Sequence, residues 1–123
     1  MDKLLIVDDQ SDIRKLLRIA LGKHFELFEA EDAETAWQLM NQERPRGVIL
    51  DVMMPGGMDG YELCARIRKD QHLKATYIAL MTARGQAADI EHGKAVGADD
   101  YFVKPYSPIE LLRTLKTRFK AAP

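Results

Sequence analysis

Asp8-Asp9, Asp51, Thr82 and Lys104 each follow a short apolar run. Leu4-Leu5-Ile6-Val7 precedes the acid pair and Val48-Ile49-Leu50 precedes Asp51. Tyr77-Ile78-Ala79-Leu80-Met81 precedes Thr82, and Tyr101-Phe102-Val103 precedes Lys104. Taken singly, each has an ordinary structural reading. Acids before a helix serve as caps or dipole partners, an aspartate or threonine completes a turn, and a lysine solvates a strand end. Taken together, three carboxylates, a hydroxyl and an ammonium describe a different chemistry. Crowded carboxylates repel unless a cation joins them, and hard oxygen ligands with room for water suit Mg2+. A cation and Lys104 then attract a phosphoryl group. One carboxylate can act as nucleophile and become an aspartyl phosphate. Such transfer depends mainly on positioning and charge stabilisation, so few other groups are required.

The elements that must position these residues alternate along the chain. The four apolar runs read as strands, the first of them, Leu4 to Val7, as one covered on both faces. A further strand is expected over Glu26 to Ala30. Its two glutamates mark it as an edge strand. The first helix is expected to start at Ser11 as N-cap, with Ile13, Leu16, Leu17, Ala20 and Leu21 at helical spacing and Gly22 as its stop. A second opens at Asp32, with Ala33, Ala36, Trp37 and Met40 on one face. A third starts near Asp59 with Glu62 completing a capping box, and Leu63 and Ile67 pointing inward. A fourth covers about 86 to 96. It is weakly apolar, and Gly93 inside it costs roughly 1 kcal/mol against alanine. The last opens on Ser107, Pro108 and Glu110, the N-cap, N1 and N3 positions.

Five strand–helix units in succession imply parallel strands, right-handed crossovers and helices on both faces. Two doubly wound orders are common, and five strands suit the flavodoxin-like one. The expected fold is α/β: a flavodoxin-like doubly wound five-stranded parallel sheet, its order taken as 2-1-3-4-5, with five helices on two faces. In such a sheet ligands bind beyond the carboxyl ends of the strands, at the switch point between strands 1 and 3. That order brings Asp8, Asp9, Asp51, Thr82 and Lys104 to one end.

Composition bounds the remaining classes. The 123 residues are 46% hydrophobic and 30% charged, the balance of one globular domain. A net charge of −1 gives no electrostatic argument for nucleic acid or an anionic membrane surface. No apolar run approaches the ~20 residues that span a bilayer. The run after Met1-Asp2-Lys3 is too short for a signal-peptide core. One cysteine, Cys64, permits no internal disulfide and reads as buried packing. The expected location is cytoplasmic. His24, His72 and His92 show no ligand spacing. Met53 and Met54 read as packing rather than a soft-metal site, and Trp37 as part of a helix's core face.

The motifs Val7-Asp8-Asp9, Asp51 with Met54-Pro55 and Met58-Asp59-Gly60, Thr82-Ala83, Gly97-Ala98-Asp99-Asp100-Tyr101 and Lys104-Pro105-Tyr106 resemble those of the receiver domain of bacterial two-component response regulators. The resemblance covers about residue 3 to residue 120 and is specific because the motifs occur jointly. It implies that Asp51 is the phosphoacceptor, served by a sensor histidine kinase or a histidine phosphotransfer protein. It implies Mg2+ held by Asp8, Asp9, Asp51 and the Met53 backbone carbonyl, with Thr82 and Lys104 on the phosphoryl group. Tyr101, together with Thr82, would be the switch, altering the surface of the fourth helix, fifth strand and last helix. The Lys104–Pro105 bond would be cis. On this reading residues 1–123 are a single receiver domain with no effector domain present. It is a regulatory domain rather than an enzyme, taking part in its own phosphorylation and dephosphorylation. Its partners would be the kinase or phosphotransfer protein, a downstream effector domain or protein, and, under phosphorylation, a second copy of itself, with no direct nucleic-acid or membrane binding.

One departure stands out. The family usually places one residue between Met-Pro and Met-Asp-Gly, and here there are two, Gly56-Gly57. The extra residue follows Met53, so it lengthens the loop and leaves the metal ligands in place. Two rival classes fit less well. A phosphatase of the haloacid-dehalogenase kind carries its nucleophile in an Asp-x-Asp motif on the first strand under an inserted cap. Here position 53 is Met, and Asp51 is on the third strand. A flavin carrier of this fold needs a hydroxyl- and amide-rich phosphate loop after strand 1, where this chain has Asp8-Asp9-Gln10-Ser11-Asp12.

Overall fold

The fold is described from a computed structural model, for residues 1–83 and 85–120. Five strands and five helices alternate: β1 (Lys3–Val7), α1 (Ser11–Leu21), β2 (Glu26–Ala30), α2 (Ala33–Glu43), β3 (Gly47–Asp51), α3 (Gly60–Lys69), β4 (Tyr77–Thr82), α4 (Ala87–Ala95), β5 (Asp100–Val103) and α5 (Pro108–Lys120). All neighbouring strands pair in parallel, in the order β2-β1-β3-β4-β5. β2 is the edge strand its two glutamates suggested.

The central strands are buried on both faces because helices cover both. Leu5, Val7, Val48, Leu50, Ile78 and Leu80 face α2 and α3. Leu4, Ile6, Ile49, Ala79 and Met81 face α1 and α5. Successive side chains in a strand alternate between faces, so each continuous apolar run feeds two cores at once. Cys64 is fully buried in the first core, and its Sγ lies 3.4 Å from the Val96 carbonyl oxygen. Trp37 is half-buried at the edge of that core, with the Arg66 guanidinium 4.2 Å from its ring centroid. Of the two methionines read as packing, Met54 packs against the core, whereas the Met53 side chain is 53% exposed.

Local signals set most helix starts. Asp32 accepts the Thr35 N–H, and Asp59 and Glu62 form the reciprocal capping box. The Glu110 N–H lies 3.3 Å from Ser107 Oγ. The start of α1 differs from expectation. The N-cap position is Gln10, without a side-chain cap bond, and Ser11 is already helical. The cause is Asp8, whose Oδ1 accepts the Gln10 N–H at 2.9 Å and turns the chain one residue early.

Two glycines mark close approaches. A Cβ on Gly60 would lie 2.4 Å from the Asp51 carbonyl oxygen, so only glycine lets α3 begin directly against the end of β3. The residue in the interior of α4 was Gly93, expected to weaken the helix. Its place is explained by packing: a Cβ there would lie 2.7 Å from the Tyr101 ring. Gly93 is also the only buried residue of α4.

The Gly97-Ala98-Asp99 motif is structural. Arg68 on α3 donates to the carbonyl oxygens of Gly97, Lys74 and Thr76 and to Asp99, at 2.6–2.8 Å. The same Asp99 oxygen accepts the Ile78 N–H at 2.8 Å. Arg68 thus ties α3, the approach to β4 and the approach to β5 together. Arg68→Ala is expected to lower stability by about 1–2 kcal/mol, partly offset by water because the side chain is 21% exposed. A urea midpoint unchanged from wild type would show the network to be ornamental.

Candidate functional site

The site lies at the carboxyl end of the sheet, where β1 and β3 are neighbours and their crossovers leave in opposite directions. Asp51 closes β3 and is 5% exposed. Asp8 follows β1 and is 3% exposed. Carboxylate oxygens of Asp8, Asp9 and Asp51 all fall within 4.8 Å of one another. Asp9 is the exposed member. Beyond β5, the Lys104 ammonium stands 3.4 Å from Asp8 and 3.5 Å from Asp51. The peptide that follows it, Lys104–Pro105, is cis, as expected.

Thr82 ends β4 and is fully buried. β3 and β4 pair Asp51 with Met81, so Thr82 extends one residue past the nucleophile candidate. Tyr101 pairs with Leu80, which puts it and Thr82 on the same face of the sheet. The sheet therefore gathers Asp8, Asp9, Asp51, Thr82 and Lys104 at one end. Tyr101 lies one strand away, toward α4.

Electrostatics favour a cation there. Burial first, then the Asp8 charge, push the Asp51 carboxyl up to about 6, against the opposing pull of Lys104. When all three acids are ionised, one ammonium leaves two negative charges uncompensated. A divalent ion with oxygen preference matches that residue of charge and those donors. Burial also pushes the Tyr106 hydroxyl up to about 12, with the Asp8 and Asp51 charges adding to it.

Some supporting residues had no sequence signal. Arg14 donates to the Asp8 carbonyl oxygen at 2.7 Å and holds the end of β1 from within α1. Tyr61, in the first turn of α3, reaches both α4 and β5. Neither stands in a motif; Arg14 reaches back across the turn between β1 and α1, and Tyr61 finds its partners only through the crossovers.

The lengthened loop after β3 begins against the acids, with the Met53 N–H 3.4 Å from Asp51 Oδ1. Gly56 has φ +105°, a left-handed conformation that favours glycine, and a Cβ on either Gly56 or Gly57 would meet open space. The loop borders a groove of about 860 Å³, whose other wall is the start of α2 with Trp37. Of the acid cluster only Asp9 reaches it.

A doubly wound sheet with three acids, a threonine and a lysine at its switch point defines a class: an α/β domain that gathers acidic and basic side chains at one sheet end. Residues 4–116 match the response regulator receiver domain family, and the chain belongs to that family. Such domains act in phosphorylation-dependent signalling. The chain is 48% identical to the "probable transcriptional regulator ycf27" of Guillardia theta, over 89% of this chain and 42% of that protein. It is 40% identical to the transcriptional regulatory protein ResD of Bacillus subtilis, over 98% of this chain and 49% of ResD. The chain thus spans less than half the length of these relatives. Among solved structures, chemotaxis protein CheY4 of Vibrio cholerae superposes with a TM-score of 0.88 at 35% identity, covering 95% of this chain and 98% of CheY4. No helix among the described residues is long and apolar enough to cross a membrane.

Proposed function

We propose that this domain is a switch thrown by phosphorylation of Asp51. The observation that carries the reading is a buried carboxylate at the end of the central strand, with Lys104 at 3.5 Å and two further carboxylates beside it. The donor is the phosphohistidine of a sensor kinase or of a histidine phosphotransfer protein. An Asp51 oxygen attacks phosphorus, the P–N bond breaks, and the imidazole leaves with the electron pair. The product is an aspartyl phosphate. Lys104 draws one phosphoryl oxygen and, through Asp8 and Asp51, keeps the nucleophile oriented. Thr82, buried at the end of the adjacent strand, is the hydroxyl nearest in register to a phosphoryl group on Asp51.

The donor set suits Mg2+: Asp8, Asp9 and Asp51 would hold it, with the Met53 carbonyl as a backbone ligand. When bound, it neutralises charge on the phosphoryl oxygens. The domain would take part in its own phosphorylation and dephosphorylation without acting on a separate substrate. Its output would be a changed α4–β5–α5 surface, read by a downstream effector domain, a partner protein or a second copy. The names of the relatives as transcriptional regulators support an effector outside this domain. The proposed location is cytoplasmic.

The test uses acetyl phosphate and Mg2+ as a small-molecule donor. Intact-mass analysis should show one phosphoryl adduct, labile to hydroxylamine as an acyl phosphate is. Borohydride reduction and peptide mapping should place it at residue 51. A stable adduct on a serine or threonine, or no adduct at all, would overturn the assignment.

A further inference from the structure

Tyr61 lies outside the acid cluster, yet its hydroxyl joins two elements on the proposed output side. Its ring is 6% exposed. The hydroxyl is 3.3 Å from the Asp89 carbonyl oxygen, in the first turn of α4, and 3.0 Å from the Tyr101 hydroxyl on β5. The Asp89 carbonyl oxygen accepts from Tyr61, and in the bond between the two hydroxyls either can be the donor. Hydrogen bonds thus join β5 to α4 through α3.

Packing points the same way. The Tyr61 ring stacks on His92 of α4, with centroids 4.0 Å and planes 8° apart. The Tyr101 ring rests on Gly93, the next residue, so closely that a Cβ there would be 2.7 Å away. Tyr101 is half-buried and packed against the core of the α2–α3 face. Its inward position is thus matched to a missing side chain on α4 and a hydroxyl on α3.

We propose that Tyr61 is a positioning residue for Tyr101: its hydroxyl holds the Tyr101 ring inward and ties that position to α4. The effect on the ring stands by itself. The effect on phosphoryl affinity rests on the switch reading above, because a group that favours one of two linked states raises affinity for whatever binds that state.

Tyr61→Phe removes the hydroxyl and keeps the ring, its burial and its stack on His92. The protein is labelled with 3-fluorotyrosine, and the Tyr101 resonance is assigned by its loss in Tyr101→Phe. Gly93→Ala supplies the reference for an expelled ring. Without any phosphoryl analogue, the Tyr101 resonance in Tyr61→Phe should move toward that reference. The inward-to-outward ratio should fall roughly 2- to 12-fold, the range for one neutral hydrogen bond. Titration with beryllium fluoride and Mg2+ should show affinity weakened by no more than the same factor. In a Tyr101→Phe background, Tyr61→Phe should have no further effect.

An unmoved Tyr101 resonance would overturn the proposal. So would an equal loss of affinity in the Tyr101→Phe background, which would mean that Tyr61 acts independently of Tyr101. If wild type does not bind beryllium fluoride, the switch reading fails, and the resonance still decides the role of Tyr61.

Discussion

Asp51→Asn is expected to abolish phosphoryl acceptance and, in metal-free buffer near neutral pH, to make the fold more stable. The first effect follows from chemistry, since an amide is no nucleophile toward phosphorus. The second follows from burial. The Asp51 carboxyl rises from 3.8 to about 6 in the folded protein, mainly by loss of water and then by the charge of Asp8. Between roughly pH 4 and 6 the native state holds a proton that the unfolded state has released. Stability therefore falls as pH rises through that window, and the loss is complete above it. At about 1.4 kcal/mol per pH unit the ceiling is about 3 kcal/mol, and 1–3 kcal/mol is the expected gain in Asp51→Asn at pH 7.

The same gain should vanish below about pH 4, where wild-type Asp51 is neutral in both states. It should also shrink when Mg2+ is added, because a cation removes the repulsion that destabilises wild type. Urea unfolding at pH 3.5 and 7, with chelator and with Mg2+, measures all of this. A variant less stable than wild type at pH 7 in chelator would show that Lys104 outweighs both burial and Asp8.

Asp9→Ala is expected to weaken Mg2+ binding by at least about tenfold, or 1.4 kcal/mol, while leaving metal-free stability within about 0.5 kcal/mol. Asp9 is exposed, so removing it should disturb the fold little. Its carboxylate is nonetheless one of three that can close on an ion, and affinity for hard cations is tuned by the number of charged ligands. Asp8 makes an instructive contrast. It is buried, accepts the Gln10 N–H and partners Lys104, so Asp8→Ala should lose both metal affinity and stability. Isothermal titration paired with a thermal melt separates the two cases. Unchanged Mg2+ affinity in Asp9→Ala would remove that residue from the metal site.

Much of the fold was legible because its signals are local. A strand covered on both faces must be continuously apolar, and Leu4–Val7 and Tyr77–Met81 have that form. A helix start must satisfy its own N–H groups, and Asp32, Asp59 with Glu62, and Ser107 with Pro108 do so within three residues. The gathering of the candidate site residues was legible for a related reason. Chemistry at the end of a parallel sheet needs reactive side chains directly after apolar runs, and Asp8, Asp9, Asp51, Thr82 and Lys104 all stand there. Their types alone argued for a divalent cation and a phosphoryl group.

The tertiary structure decided whatever depends on what lies across a crossover. Nothing local to Gly93 says that a tyrosine ring needs its space, so its cost to the helix was visible and its purpose was not. Ser11 looked like an N-cap until Asp8, three residues earlier, took the Gln10 N–H. Met53 and Met54 are alike in sequence, yet Met54 packs against the core and Met53 is exposed. Arg68 meets Gly97 and Asp99, and Tyr61 meets Asp89 and Tyr101, only once α3 packs beside the approach to β5. Residue type and spacing carry information over a helical turn or a strand. The sheet order and the handed crossovers decide which distant residues meet.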